Sequence, residues 1–380
     1  MLDFGDREID RPLGQGKTVR PPRDERQKTT LAVTGFSAVV LLGLSIASVL
    51  HDDGLRAPPP FVVATPVETP QPVPLQEQAR PSGPSITRVE PRAPSDSPSV
   101  VVIRDAGALS QNAATAHLPN PDLIEQSDFG PLPVRSAEGL RPFDAYARPW
   151  SGARGARISI VVGGLGLSQT GTMNAIETLP AEVTFAFAPS GNSLDRWMQT
   201  ARRKGHELLM QLPLEPFDYP SVDPGRGTLT VDADPMAFRE DLYWSLGRMT
   251  NYTGVMNYMG GRFTSDAGAV QALMQELSQR GLGYLDDGSS ARSIADQQAA
   301  AAGVPFAASS VTIDAVRERG EILKKLDEAE RIARASGSAV AIGAGFDVTV
   351  EAVAAWISEA RLRGIEIVPY SALASDPERR

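Results

Sequence analysis

The chain has 380 residues, 37 Lys and Arg against 46 Asp and Glu, a formal net charge of −9 and no cysteine. Without cysteine there is no disulfide framework, thiolate metal site or cysteine nucleophile, and the acidic balance argues against a nucleic-acid binder, which carries a basic patch. The three histidines are His51, His117 and His206, too few for a His-rich metal site within one chain.

Residues 1–30 are polar and lack periodicity. Between Arg11 and Thr30 stand six basic residues against Asp24 and Glu25. Leu31 to Leu50 then runs without a charge, and about 20 residues at 1.5 Å rise span a hydrocarbon core. The segment is expected to be an uncleaved single-pass anchor, with a cleaved signal peptide as the competing reading. The basic flank places the tail in the cytoplasm and the remainder beyond the membrane. Of 31 prolines, 18 lie between His51 and Trp150. Proline donates no backbone hydrogen bond and interrupts helices and central strands, so residues 51–154 are expected to be a disordered tether. The globular domain is expected at 155–380.

Within that domain strand and helix alternate. Strands are expected at 158–162, 183–188, 208–212, 253–256, 282–285, 304–308, 339–342 and 365–368. Helices are expected at 171–179, 193–204, 235–249, 267–280, 293–302, 320–335 and 348–363. Such alternation implies a parallel sheet covered by helices. No strand has a polar edge pattern, which points to a closed or nearly closed barrel. Functional groups then sit on loops after the strand C-termini.

Those loops supply the candidates. Gly163-Gly164-Leu165-Gly166 sits where a phosphate-cradling loop would, but Gln169 stands at the third glycine's place and no Walker lysine follows, so a tight turn is expected. Glu215, in Pro213-Leu214-Glu215-Pro216, is either a carboxylate of the site or a loop carboxylate that accepts backbone hydrogen bonds. His206 lies at a strand start and is read as packed and hydrogen-bonded. Asn257, Tyr258 and Arg262, on a glycine-flexible loop, suit sugar recognition by ring stacking and hydrogen bonds to hydroxyls. Asp286 and Asp287 could hold a cation or sugar hydroxyls, or form an Asx turn; like-charge repulsion can raise the pKa of one of them.

Taken in order, Leu165-Gly166-Leu167-Ser168, Gly205-His206-Glu207, Leu212-Pro213-Leu214-Glu215-Pro216, Asn257-Tyr258-Met259-Gly260-Gly261-Arg262-Phe263-Thr264, Leu285-Asp286 and Ala341-Ile342-Gly343 resemble the divergent polysaccharide deacetylase family over about Arg157 to Leu373. The resemblance implies a distorted (β/α) barrel in the bacterial envelope that handles carbohydrate. It also implies a divalent metal, usually zinc, held by an aspartate and histidines, which activates water for attack on an acetyl carbonyl. The family's pair of aspartates is replaced by Gly163 and Gly164. Its loop histidine is Tyr258, its variable histidine is Gln211, and its Gly-His-Pro place reads Gly343-Ala344-Gly345. The expectation is therefore a membrane-anchored, periplasm-facing domain that binds an envelope polysaccharide or peptidoglycan-type glycan without a metal. Asn257, Tyr258, Arg262, Asp287 and Gln211 would contact the glycan. The alternatives are a hydrolase with a reorganised acid–base site drawn from Asp286, Asp287 and Glu215, or a scaffold for an envelope enzyme.

Overall fold

The computed structural model describes residues 114–379. The strands are β1 (Ile124–Ser127), β2 (Gly130–Pro133), β3 (Arg157–Leu165), β4 (Thr184–Phe187), β5 (Leu208–Leu214), β6 (Gly254–Met259), β7 (Gly283–Asp286), β8 (Phe306–Ala308), β9 (Val311–Thr312), β10 (Ser338–Ala344) and β11 (Glu366–Ile367). The helices are α1 (Pro142–Ala145), α2 (Gln169–Thr178), α3 (Leu194–Lys204), α4 (Pro235–Leu246), α5 (Ala267–Arg280), α6 (Ala295–Ala302), α7 (Arg319–Ser336) and α8 (Asp347–Leu362). Local chemistry sets several of these limits. Asp266 accepts from the Ala269 N–H to start α5, and Asp234 accepts from Met236 and Ala237 ahead of Pro235 at the first turn of α4. Gly205 and Gly281 close α3 and α5 in the left-handed conformation that glycine adopts without a Cβ penalty.

The main sheet runs β8-β7-β6-β5-β4-β3-β10-β9, with every pair parallel. β11 pairs with the lower edge of β3 at Arg157 and Ile158, below the stretch that β4 takes from Val161 upward. Side chains alternate between faces along a strand. Val161, Ala186, Leu209, Met256, Leu285 and Val340 form one buried cluster on the concave side. Ile160, Val162, Phe185, Met210 and Val255 belong to a second cluster that includes the helix residues Trp197, Leu273, Leu326 and Trp356.

Two expectations change. The sheet curls as a barrel would, yet β8 and β9, its ends, do not pair with each other. β8 has three residues and β9 two, too few to carry a ladder across the seam. The chain bridges it instead, with the Ser309 N–H donating to Asp286 O and the Ser310 N–H to Val340 O. The fold is a curled parallel half-barrel rather than a closed barrel.

The tether expectation is also corrected over the described part of 51–154. The hairpin of β1 and β2 is held by Arg280, which donates to Pro133 O at 2.9 Å. Phe143, on α1, is fully buried among the concave residues, and its N–H donates to Gly281 O. The prolines misled because proline suits both an isolated hairpin strand and the first position of a helix, and Pro131, Pro133 and Pro142 hold such places. Leu31 to Leu50 and the rest of the expected tether lie outside the described residues. Among the described residues no helix is long and apolar enough to cross a membrane.

Candidate functional site

A cleft of about 710 Å³ opens at the C-terminal ends of the strands. Strand phase decides what reaches it. Two residues beyond concave Val161, Leu209 and Leu285 come Gly163, Gln211 and Asp287, and all three line the cleft. Tyr258, two beyond Met256, lines it as well and is 44% exposed.

Gln211 forms part of the floor and is only 6% exposed. Its Oε1 accepts from the Gly164 N–H at 2.7 Å, which leaves Nε2 as the free end. A β-carbon added at Gly163 would stand 2.9 Å from that Nε2, so the glutamine amide fills the room that a larger residue at 163 would need. β3 also shifts register against β4 between Val162 and Leu165, and Gly164 and Gly166 have positive φ. This irregularity beside the site re-aims the loop.

Asp287 is held by reciprocal bonds with Asn257. Asn257 Nδ2 donates to Asp287 Oδ1 at 2.6 Å, and the Asp287 N–H donates to Asn257 Oδ1 at 2.8 Å. Burial pushes the Asp287 carboxyl up to about 6, against the Ser289 and Asn257 hydrogen bonds, with the Asp286 charge adding to the rise. Asn257 is itself fully buried in the cleft wall, where it positions the acid. Met259 holds a left-handed φ of 59° where the chain turns away, and its carbonyl accepts from Asn257 Nδ2 and Ser289 Oγ. Strain of this kind persists only where surroundings enforce it.

Three candidates stand elsewhere. Asp286 has the opposite strand phase; it is buried, accepting from the Gly288 N–H at 2.9 Å and from Ser293 Oγ at 2.5 Å. Glu215 is buried just past the end of β5 and pairs with Arg262 at 2.5 Å, also accepting from the Val231 N–H. Arg262 in turn reaches Asp232 at 2.9 Å. Asp286, Glu215 and Arg262 do not line the cleft. His206, at the opposite end of its strand, is buried and stacked on Phe185 at 3.9 Å.

The cleft also contains residues that sequence reasoning did not single out. Asp314 accepts from the Ala344 N–H and from Thr349 Oγ1. Asp347 opens α8, and Arg226 lies over the Trp244 ring at 4.5 Å. Asp314 could have been found from the phase of β9, but a two-residue strand leaves no readable period.

The metal that the resemblance implies does not suit this donor set. Gly163, Gly164, Gln211, Tyr258 and Ala344 line the cleft where the family's ligands are expected, and a zinc site takes about three His, Cys or carboxylate ligands. Among the described residues no group of three such side chains could hold a metal ion.

Comparison with known proteins agrees with this architecture. The crystal structure of uncharacterized protein ATU2773 from Agrobacterium tumefaciens C58 superposes with a TM-score of 0.63 at 53% identity, covering 64% of this chain and 99% of that one. YibQ of Escherichia coli K12 is 24% identical over 205 residues, 54% of this chain and 63% of its own. An uncharacterized Haemophilus influenzae protein is 27% identical over 169 residues, 44% of this chain and 60% of its own. The chain thus spans less than two thirds of the length of these two curated relatives. The family model for divergent polysaccharide deacetylases matches residues 160–374, more than half of the chain and all of the curled sheet except the first residues of β3, and the chain therefore belongs to the divergent polysaccharide deacetylase family.

Proposed function

We propose that this domain binds an envelope glycan, of polysaccharide or peptidoglycan type, in the cleft and does so without metal-dependent hydrolysis. The observation that carries the reading is the pairing of an exposed aromatic ring, Tyr258, with the free Nε2 of Gln211 in an open cleft whose expected ligand places hold no ligand set. Sugar sites combine apolar faces with a few fixed polar groups. In the same proposal Leu31 to Leu50 anchors the chain in the bacterial inner membrane and the domain faces the periplasm. The uncharged 20-residue run and its basic flank support that placement. The test is titration of the full-length chain with peptidoglycan fragments, with metal analysis of the same sample. Saturable binding without stoichiometric zinc supports the reading; bound stoichiometric zinc with acetate release at an enzyme-like rate overturns it.

One observation favours a second reading, a hydrolase with an acid–base group. Asp287 sits in the cleft with its pKa raised to about 6, near the range a general acid needs. Asp287→Asn would then cut any acetate release by about 10²–10⁴-fold. Equal release by wild type and variant would remove this reading.

A further inference from the structure

The cleft has a charge pattern that the glycan reading does not require. Asp287, Asp314 and Asp347 line it, and Arg226 is the basic residue among its lining. None of the three carboxylates forms an ion pair among the described residues. Each is held by neutral donors: Asp287 by Asn257, Asp314 by the Ala344 N–H and Thr349, and Asp347 by Asn174 at 2.8 Å. The nearby cations are turned to aromatic faces, Arg226 onto Trp244 and Arg317 onto Phe346 at 3.8 Å. Acids elsewhere in this domain are treated differently. Glu215, Asp144, Asp376 and Glu330 all pair with arginine.

An acidic cluster alone would say little. Gln211 supplies the independent observation. Its side chain is more than nine-tenths buried and its Nε2 donates to no group among the described residues. Its amide is fixed by the Gly164 N–H, so the free donor points into the same cleft as the acids. Nε2 is not sealed off and opens to the cleft, where a ligand oxygen can take the place of solvent as its acceptor. The occupant that matches both features presents an acceptor and positive charge. A neutral N-acylated sugar meets the first requirement only, and an acidic sugar would add to the negative charge.

Resting on the glycan reading, we infer that the cleft is selective for a hexosamine with a free amino group. A sugar oxygen accepts from Gln211 Nε2, and the ammonium lies in the field of Asp287, Asp314 and Asp347. Asp287 and Asp314 are half-buried and Asp347 is exposed, and charge complementarity of this kind gives specificity because a neutral or acidic partner leaves these carboxylates uncompensated. Such amines arise when water cleaves an N-acyl group to give amine and carboxylate. A separate N-deacylating reaction must then supply this ligand, and the domain acts on the product side of it.

The test is calorimetric titration of the full-length chain with a β-1,4-linked glucosamine tetrasaccharide and with its fully N-acetylated counterpart, at low and at high NaCl. The expected result is about tenfold or greater preference for the free amine, weakening as salt rises. Asp287→Asn combined with Asp314→Asn should remove most of the preference. Glu321→Gln, on the exposed face of α7, controls for net charge and should leave it unchanged. Equal or tighter binding of the acetylated sugar overturns the inference and leaves the glycan reading standing. So does a preference that survives the double substitution. Binding of neither sugar, with peptidoglycan fragments also failing, overturns both.

Discussion

The two ends of the parallel strands treat charge in opposite ways. At the N-terminal end, Glu207 is fully buried and accepts from the Ser371 N–H and Oγ and from the Arg148 N–H, at 2.9, 2.5 and 2.9 Å. Beside it the buried Arg202 donates to the carbonyls of Tyr146 and His206. Below α1, Arg141 bridges Asp144 and Asp376. At the C-terminal end the acids of the cleft have no cationic partner among the described residues, and the Gln211 Nε2 donor has no acceptor among them. Charged groups that are partnered hold a fold together, whereas unpartnered ones open to a cleft can take a ligand; the unpartnered Nε2 of His206 is sealed in the interior. The contrast explains why Gly205-His206-Glu207, although prominent in the sequence, serves stability.

The largest expected effect comes from the N-terminal end. Glu207→Ala strands three donors and removes the charge nearest Arg202, so urea titration should show a loss of about 3–5 kcal/mol. A loss below about 1 kcal/mol would break the contrast.

His206 should come next. Burial lowers its pKa to about 4, below the usual 6.5. The unfolded chain therefore binds the proton more readily, and stability falls as pH drops from about 6.5 to 4. The contribution is about 3 kcal/mol by linkage. His206→Phe should flatten that acid loss in Tm measured across this range.

Asp287 should have the opposite sign. Its folded pKa, about 6, lies above the ordinary 3.8, so the native state holds the proton longer and stability falls as pH rises from about 4 to 6. Asp287→Asn keeps an acceptor for Asn257 and Ser289 while removing the charge. It should stabilise the chain at pH 7.5 by up to about 3 kcal/mol and leave it little changed at pH 4. Removing an acid thus destabilises one end of the sheet and stabilises the other. The smallest effect on folding is expected from Tyr258→Ala, which should leave Tm within about 1 °C. The same change should weaken glycan binding about tenfold by calorimetry.

The sequence was most legible where period and caps agree. The helix expected at 267–280 is α5, Ala267–Arg280, because Asp266 and Gly281 mark both ends. It was least legible where elements are short. β9 has two residues and carries no period, so the seam and Asp314 were missed together. Adjacent acids posed a different problem. Asp286 and Asp287 are equivalent as letters, and only the inward phase of Leu285, two residues before Asp287, separates them. Glu215 left two readings open from the sequence, and the structure makes it the loop carboxylate: its N–H donates to Leu229 O and its carboxylate accepts from the Val231 N–H and from Arg262. Gln211 was legible as a replaced position, but its free amide depends on the Gly164 N–H, a contact 47 residues away in sequence.

The most direct test of the account is titration of the full-length chain and its Gln211→Ala variant with a peptidoglycan-derived oligosaccharide, with released acetate measured in the same vessel. The account predicts one saturable site per chain, about tenfold weaker binding in the variant, and no acetate release at an enzyme-like rate. Equal affinity of both proteins, or turnover by the wild type, would contradict it.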